Sequence, residues 1–444
     1  MTTLFGTDGI RGVAGVDLTA DLATSVASVA VAELAAGQDR PLVVVGRDPR
    51  ESGGWLQDAV VEGLTGAGAD VVLLGVIPTP AVARAVADGA PGIDQLPAFG
   101  VVVSASHNPA PDNGIKLFGA GGVKLDDDGE AAIEAGVARH APPTPADRRG
   151  EVRADLSQDH AWYVDAVLST APQRLDGLKV VVDCANGAAA TVAASVYARA
   201  GADVIAINTD LSGEHINDGC GAMHLKSLRA AIEENRADVG IAHDGDADRC
   251  LAMTATGDVV DGDAIVAVLA LDMQRRGVLR GDAVVVTVMS NLGLTKALRR
   301  HGIGVVVTPV GDRHVAERMR ADDLALGGEQ SGHIVLLDYA STGDGVLTAL
   351  HLLSAVAASG RSLADLAGVV ERLPQVLVNV TVSDRNAALA AAALAVADAE
   401  AELGDDGRIL VRASGTEPVV RIMVEAPTET VASDLAARIA AVVS

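Results

Sequence analysis

Short apolar runs dominated by Val and Ile recur along this chain at helix-length intervals, and they restrict its architecture more than any other feature. PLVVVG at 41–46, DVVLLGV at 70–76 and FGVVVSA at 99–105 form a first group; KVVVDC at 179–184, ADVIAIN at 202–208 and ADVGIAH at 237–243 a second; AVVVTV at 283–288 and GIGVVVT at 302–308 a third. Continuous β-branched runs predict strands covered on both faces, and such sheets need helices on both sides. Leu22, Val26, Ala30 and Leu34, behind Thr19 and ahead of Gly37, predict an amphipathic helix with an N-cap and a stop. Further helical segments fall near 187–200, 224–235 and 342–358. A period of roughly 100 residues is too long for a solenoid and predicts three tandem α/β domains.

The polar stretch HAPPTPADRRGE at 140–151 interrupts the first group and marks a boundary. After about Glu371 the pattern becomes strand, Ala-rich helix at 385–403, two strands within 408–426 and a last helix at 429–443. Two strands on a tight connection predict an antiparallel pair, hence a smaller α+β domain. The expected domains are 1–152, 153–255, 256–370 and 371–444. A length of 444 residues accommodates several such cores.

Composition excludes several classes. The net charge of −25 repels nucleic acid and anionic membranes, and 2% aromatic residues leave few base-stacking platforms. Any phosphate site must therefore be locally basic or metal-bearing. Cys184, Cys220 and Cys250 are widely spaced and form no C-x-x-C pair, which argues against disulfides or a zinc site and for a reducing cytoplasm. MTTLFGTDGIRG has no basic then apolar leader pattern, and apolar runs stop well short of about 18 residues, so neither a signal peptide nor a membrane span is expected. No oligomeric state follows from the residues.

Five constellations could carry chemistry. HDGDADR places Asp244, Asp246 and Asp248 at alternate positions after a strand, where three carboxylates could converge on a hard cation such as Mg²⁺. A calcium loop would need Gly at its sixth position and Glu at its twelfth, where Arg249 and Ala255 stand. The competing reading is an acidic turn in water. VVVSASHNPAPDNGIK at 101–116 puts Ser106 at the end of a buried strand, open to a cleft, as α/β sheets place ligands. There Ser106 could carry a phosphoryl group, or Ser106 and Asn108 could simply cap a turn. His107 beside it is a poor base for Ser106 if the segment is extended, because adjacent side chains then face opposite ways.

VRASGTEPVVR combines Arg412, Ser414, the Gly415 and Thr416 amides and Arg421, a phosphate cradle by composition or else a decorated hairpin. GGEQSGH at 327–333 presents Glu329, Ser331 and His333 at alternate positions, which on an extended strand would share one face and suit sugar hydroxyls; a solvated edge strand would look the same. FGTDGIRG supplies Thr7 and Arg11 in a Gly-bounded turn.

Together, FGTDGIRG at 5–12, SASHNP at 104–109, DGDADR at 244–249, VGDR at 310–313, GGEQSGH at 327–333 and RASGTEP at 412–418 resemble the alpha-D-phosphohexomutase superfamily in order and spacing, over essentially the whole chain. Gln330 and the following TGDG at 342–345 resemble its amino-sugar phosphate branch more than its mannose or glucose phosphate branches. The resemblance implies four domains around a central cleft, the first three with mixed sheets. It implies that Ser106 is the phosphoserine and that Asp244, Asp246 and Asp248 hold Mg²⁺ with it. Glu329, Ser331 and His333 would grip the sugar, and 412–421 would bind the phosphate that does not react. Arg11, His107, Lys116 and Arg249 would line the transfer site. The implied partner is a hexosamine phosphate converted through a sugar 1,6-bisphosphate. Phosphomannomutase or phosphoglucomutase activity, or a silent sugar-phosphate sensor, are the competing functions.

Overall fold

The computed structural model describes residues 4–6, 8–139, 148–414 and 418–443. The chain divides into two compact units, one formed by 1–288 with 306–367 and the other by 289–305 with 368–444.

In the first unit, the opening sheet contains β1 (Ile10–Val13), β2 (Leu42–Arg47), β3 (Asp70–Val76), β4 (Phe99–Val103), β5 (Asp112–Gly119), β6 (Val123–Lys124) and β7 (Val152–Asp155), in the order β1-β5-β4-β2-β3-β7 with β6 on β5. β2, β3, β4 and β7 run parallel, while β5 pairs antiparallel with β4 and β1, so the sheet is mixed. Around it lie α1 (Ala20–Leu34), α2 (Gly53–Gly66), α3 (Thr79–Asp88) and α4 (Asp127–Ala138). The Thr19 hydroxyl accepts from the Leu22 amide, the cap expected from sequence, and the buried stripe Ala23, Val26, Ala27 and Ala30 turns α1 onto Val43, Val45, Val101 and Val103.

The second sheet orders β8 (Lys179–Asp183), β9 (Asp203–Ile207), β10 (Val239–Ala242), β11 (Leu251–Thr254) and β12 (Val259–Val260) as β12-β11-β10-β8-β9, with α5 (Ala161–Leu168), α6 (Ala193–Ala200) and α7 (Lys226–Asn235). The third contains β13 (Ala283–Thr287), β14 (Gly304–Thr308) at the boundary of the units, β15 (Leu326–Gly328) and β16 (Ile334–Leu336), in the order β14-β13-β15-β16. Its helices include α8 (Gly262–Arg275), α10 (Asp312–Ala321), α11 (Gly345–Ser359) and α12 (Leu363–Ala367), with α9 (Leu292–Arg300) assigned to the second unit.

The second unit carries β17 (Gln375–Thr381), β18 (Arg408–Ala413) and β19 (Val419–Glu425), all antiparallel in the order β17-β19-β18, under α13 (Arg385–Leu403) and α14 (Glu429–Val443). Asn291 ties α9 to this unit by exchanging hydrogen bonds with the Leu373 backbone, and the Leu292 amide donates to Glu425. Three mixed α/β sheets followed by an antiparallel α+β unit agree with the fold class expected from sequence.

One topological feature positions the chemistry. Each of four loops joins antiparallel neighbours: β4 to β5, β10 to β11, β15 to β16 and β18 to β19. These loops carry Ser106, the aspartate trio, the 329–333 turn and Ser414 respectively. No helix among the described residues is long and apolar enough to cross a membrane.

Candidate active site

Ser106 follows β4 in a left-handed backbone conformation, φ 52°, unusual for a residue with a side chain. Several bonds over-determine it. Its amide donates to Ser104 Oγ at 2.9 Å, and its carbonyl accepts from Arg50 Nη2 and Asn217 Nδ2, both at 2.9 Å. Arg50 is fully buried; it pairs with Asp48 at 2.9 Å and donates to the carbonyls of Ser106, Asn108, Pro109 and Asp112, so one guanidinium clamps the whole loop. Gly245 lets the β10–β11 loop come down on this clamp, since a Cβ there would stand 2.6 Å from the Ser106 carbonyl oxygen.

The result is direct contact between two loops far apart in sequence: Ser106 Oγ donates to Asp244 Oδ2 at 2.6 Å. The serine is only 1% exposed, whereas the sequence reading places it open to a cleft. The loop folds its side chain inward onto the aspartates instead. The expectation that His107 faces away is also corrected. Residues 106–107 form a turn, not a strand, and His107 Nδ1 lies 3.3 Å from Ser106 Oγ. Burial first, then Arg249 and Arg11, push the His107 ring down to about 4, so it is neutral near pH 7.

Asp244, Asp246 and Asp248 are buried, with one oxygen from each within 4.8 Å of the others. Burial, then Asp248 and Asp246, push Asp244 up to about 8. Burial would also raise Asp246, but the Lys116 ammonium at 2.8 Å overcomes this and holds it below the usual carboxylate range. Asp246 Oδ1 and Asp248 Oδ1 are buried without a hydrogen-bond partner. Unsatisfied buried carboxylate oxygens are costly. Converging, oxygen-only and mutually repelling, the trio fits a hard divalent cation.

Lys116 on β5 is buried, 2.8 Å from Asp246 Oδ2, 2.8 Å from Asp8 Oδ2 and 3.4 Å from Asp248 Oδ2. Arg11 on β1 bonds Asp8 and reaches Asn108 Oδ1 at 3.4 Å, beside the serine loop. Arg249 Nε stands 4.0 Å from both Asp244 and Asp248. Arg249 also bridges to His333, and the Cys250 amide donates to the Gly332 carbonyl at 2.9 Å, which seats the 329–333 segment beside the trio.

That segment is not the extended row expected. The Gly332 amide bonds the Glu329 carbonyl and the Glu329 amide bonds the His333 carbonyl, closing a tight turn in which alternation no longer defines a common face. Glu329 Oε1 accepts from the Gly311 amide, while Ser331 Oγ and His333 Nε2 are buried without a hydrogen-bond partner.

Within the second unit, Arg412 and Arg421 are directly opposed across β18 and β19. Like charges so placed repel, and a bound anion would relieve them. The Ser414 amide bonds the Val419 carbonyl and its own carbonyl accepts from Arg385, fixing the loop entrance. Gly415 and Thr416, also expected in the cradle, lie outside the described residues, as does Thr7.

Comparison with known proteins follows the same layout. Four domain families match in order: phosphoglucomutase/phosphomannomutase alpha/beta/alpha domain I over 2–143, domain II over 161–257, domain III over 261–373, and the C-terminal domain over 377–442. A phosphoglucosamine mutase of Frankia alni is 58% identical over 454 residues, covering 100% of this chain and 98% of that protein. The chain belongs to the phosphoglucosamine mutases of the alpha-D-phosphohexomutase superfamily. A phosphoglucosamine mutase of Salinispora tropica is 57% identical over 99% of this chain and 98% of its own. Among solved structures, a phosphoglucomutase/phosphomannomutase family protein of Burkholderia thailandensis matches with a TM-score of 0.83 at 26% identity, covering 98% of this chain and 95% of that one.

Sequence reasoning missed several groups that build this phosphoglucosamine mutase site. Asp48 and Arg50 hold the serine loop, Thr79 Oγ1 donates to Asp246 Oδ2 at 2.6 Å, and the buried His243 bonds the Arg249 carbonyl and Tyr197. Asp8, Lys124 and Asp312 form a charged string beside Lys116. Asp8, His243 and Asp312 lie inside FGTDGIRG, HDGDADR and VGDR, where the residue pattern assigns them no role; for the groups outside the motifs the one available signal is the pair of charges in GRDPR immediately after a strand.

Proposed function

We propose that the chain interconverts glucosamine 6-phosphate and glucosamine 1-phosphate through a phosphoserine at Ser106 and a glucosamine 1,6-bisphosphate intermediate, supplying UDP-N-acetylglucosamine synthesis. The reading is carried by the 2.6 Å contact between the Ser106 hydroxyl and Asp244 inside a buried carboxylate trio. A serine hydroxyl bonded to one aspartate has no structural need for two more beside it, whereas a phosphoseryl group needs a cation, and a cation needs this donor set.

Asp244, Asp246 and Asp248, with a phosphoseryl oxygen, would hold Mg²⁺. When bound, the ion would draw negative charge from the phosphoryl group. The transition state of phosphoryl transfer is loose, so the chain's own task is alignment and charge neutralisation. Arg11, Lys116 and Arg249 orient the phosphoryl oxygens. The bond from phosphorus to Ser106 Oγ breaks as one forms to a sugar oxygen, and the proton of that sugar hydroxyl ends on Ser106 Oγ. Neutral His107, 3.3 Å from that oxygen, is placed to pass it.

The bisphosphate then turns over and returns its other phosphoryl group to Ser106. This demands recognition of the sugar in two orientations. Glu329, Ser331 and His333 take ring hydroxyls; Ser331 Oγ is a buried group still without a hydrogen-bond partner. Arg412, Ser414, Gly415, Thr416 and Arg421 take the phosphate that is not reacting. In this reading domains 1–152, 153–255, 256–370 and 371–444 bring the phosphoserine, metal, sugar and phosphate sites respectively. The three free, buried cysteines suit work in the cytoplasm.

The test is a coupled assay with glucosamine 1-phosphate, Mg²⁺ and a trace of sugar bisphosphate, run beside the glucose and mannose analogues and with a chelator. Turnover should be fastest with the amino sugar and should vanish on chelation. Preference for glucose or mannose phosphate, or turnover indifferent to chelator, would overturn this assignment.

A further inference from the structure

Two of the cations that the proposed transfer uses are held by one carboxylate, Asp8 of the FGTDGIRG turn, to which the sequence reading assigns no role. Asp8 Oδ2 accepts from Arg11 Nη2 at 2.5 Å and lies 2.8 Å from Lys116 Nζ, while Asp8 Oδ1 accepts from Lys124 Nζ at 2.5 Å. Gly9 permits this approach, because a Cβ there would fall 2.5 Å from the Ile115 carbonyl oxygen and 3.2 Å from Lys116 Cγ. Lys124 also bonds Asp312, whose Oδ2 stands 3.2 Å from His333 Nε2. Next to it, Arg313 donates to the Leu125 carbonyl, a second link between the same two segments. Burial would raise the Asp8 carboxyl, but Lys116, Lys124 and Arg11 hold it well below the ordinary range, so it stays charged. The string therefore alternates in sign from the aspartate trio through Lys116, Asp8, Lys124 and Asp312, and Asp312 in turn meets His333 of the 329–333 turn.

We propose that Asp8 and Lys124 are positioning residues for phosphoryl transfer: Asp8 aims Arg11 and Lys116 at the Ser106 site, and Lys124 ties their placement to the sugar-gripping turn through Asp312. This rests on the transfer reading above. A cation displaced by about 1 Å costs on the order of 100-fold in a step that depends on alignment. Neither residue touches the reacting atoms, so each acts through the groups it holds.

The test uses the full chain with Mg²⁺. Protein carrying labelled phosphate on Ser106, loaded from glucosamine 1,6-bisphosphate, is chased with glucosamine 1-phosphate under rapid quench, and KM and Tm are measured in parallel. Asp8→Asn, which keeps the shape and removes the charge, should slow transfer about 10- to 100-fold with KM within about threefold and Tm nearly unchanged. Lys124→Met should slow transfer and also raise KM, with Lys124→Arg restoring most of both. Because the pair acts as a unit, the double variant should be no slower than the worse single one. Transfer by Asp8→Asn within twofold of the parent, losses that multiply in the double variant, or losses in kcat and KM that simply follow a fall in Tm would each overturn the proposal. Failure of the parent protein to transfer label would instead refute the underlying phosphoserine reading.

Discussion

The serine loop and the 329–333 turn both pack against the aspartate loop and are built on opposite principles. In the loop after β4, nearly every polar atom has a protein partner: Arg50 alone bonds four carbonyls, and Ser106 is held at φ 52°. In the 329–333 turn the backbone is closed, but Ser331 Oγ has no hydrogen-bond partner and His333 Nε2 meets only Asp312 Oδ2, at 3.2 Å. A group that must meet its acceptor in line gains from being fixed in advance, since alignment is most of what catalysis requires here. A surface that must accept one sugar in two orientations gains from unspent hydrogen-bonding capacity. In the proposed function, this difference would separate phosphoryl transfer from sugar recognition.

This contrast can be broken or sharpened by substitution, beginning with the largest effect. Ser106→Ala should abolish interconversion while calorimetric binding of glucosamine 6-phosphate stays within a few-fold of the parent, because recognition resides elsewhere; substantial turnover would end the distinction. Asp246→Asn should lower turnover about 100-fold or more at fixed Mg²⁺ and weaken Mg²⁺ binding, measured by titration, since it removes a charged oxygen from the trio. Arg50→Met leaves Asp48 as an uncompensated buried charge and releases four carbonyls. Urea unfolding should show a loss of about 3–5 kcal/mol, and a loss below about 1 kcal/mol would mean that the loop is not clamped as described. Ser331→Ala should have the smallest effect and the opposite profile. KM should rise about fivefold, the worth of one lost hydrogen bond, with Tm unchanged or slightly higher because the hydroxyl satisfies nothing in the free protein. A lower Tm with unchanged KM would show that the turn is a structural element only.

Local features of this fold were readable because they depend on neighbours in sequence. The Thr19 cap, the strands at 70–76 and 283–287 and the helix at 385–403 follow from periodicity and stop signals within one element. The returning strands β5, β11 and β16 were not identified, although they create the reversals that carry the chemistry. DNGIKLFG mixes charge and glycine with apolar residues, and LAMT and IVL are too short to show a period. Ser106, Lys116 and the aspartates stood out as residue types in motifs, but their partners are distant: Ser106 and Asp244 are separated by 138 positions, Lys116 and Asp246 by 130, and Lys124 and Asp312 by 188. Such pairings come from the packing of whole sheets, which no local pattern encodes. The mistaken extended reading of 329–333 has the same origin. Alternation was visible, but the glycine-bounded segment closes on itself because β16 must run back along β15.

The central claim is that Ser106 donates its phosphate to a sugar and not to water. It is tested most directly by following labelled phosphate on Ser106 by mass spectrometry after a single addition of glucosamine 1-phosphate with Mg²⁺. The account predicts that label leaves the Ser106 peptide and is recovered one for one on sugar, first in glucosamine 1,6-bisphosphate and then in glucosamine 6-phosphate as the unlabelled phosphoryl group returns to Ser106. Label released as inorganic phosphate, or label that never resides on Ser106, would contradict it.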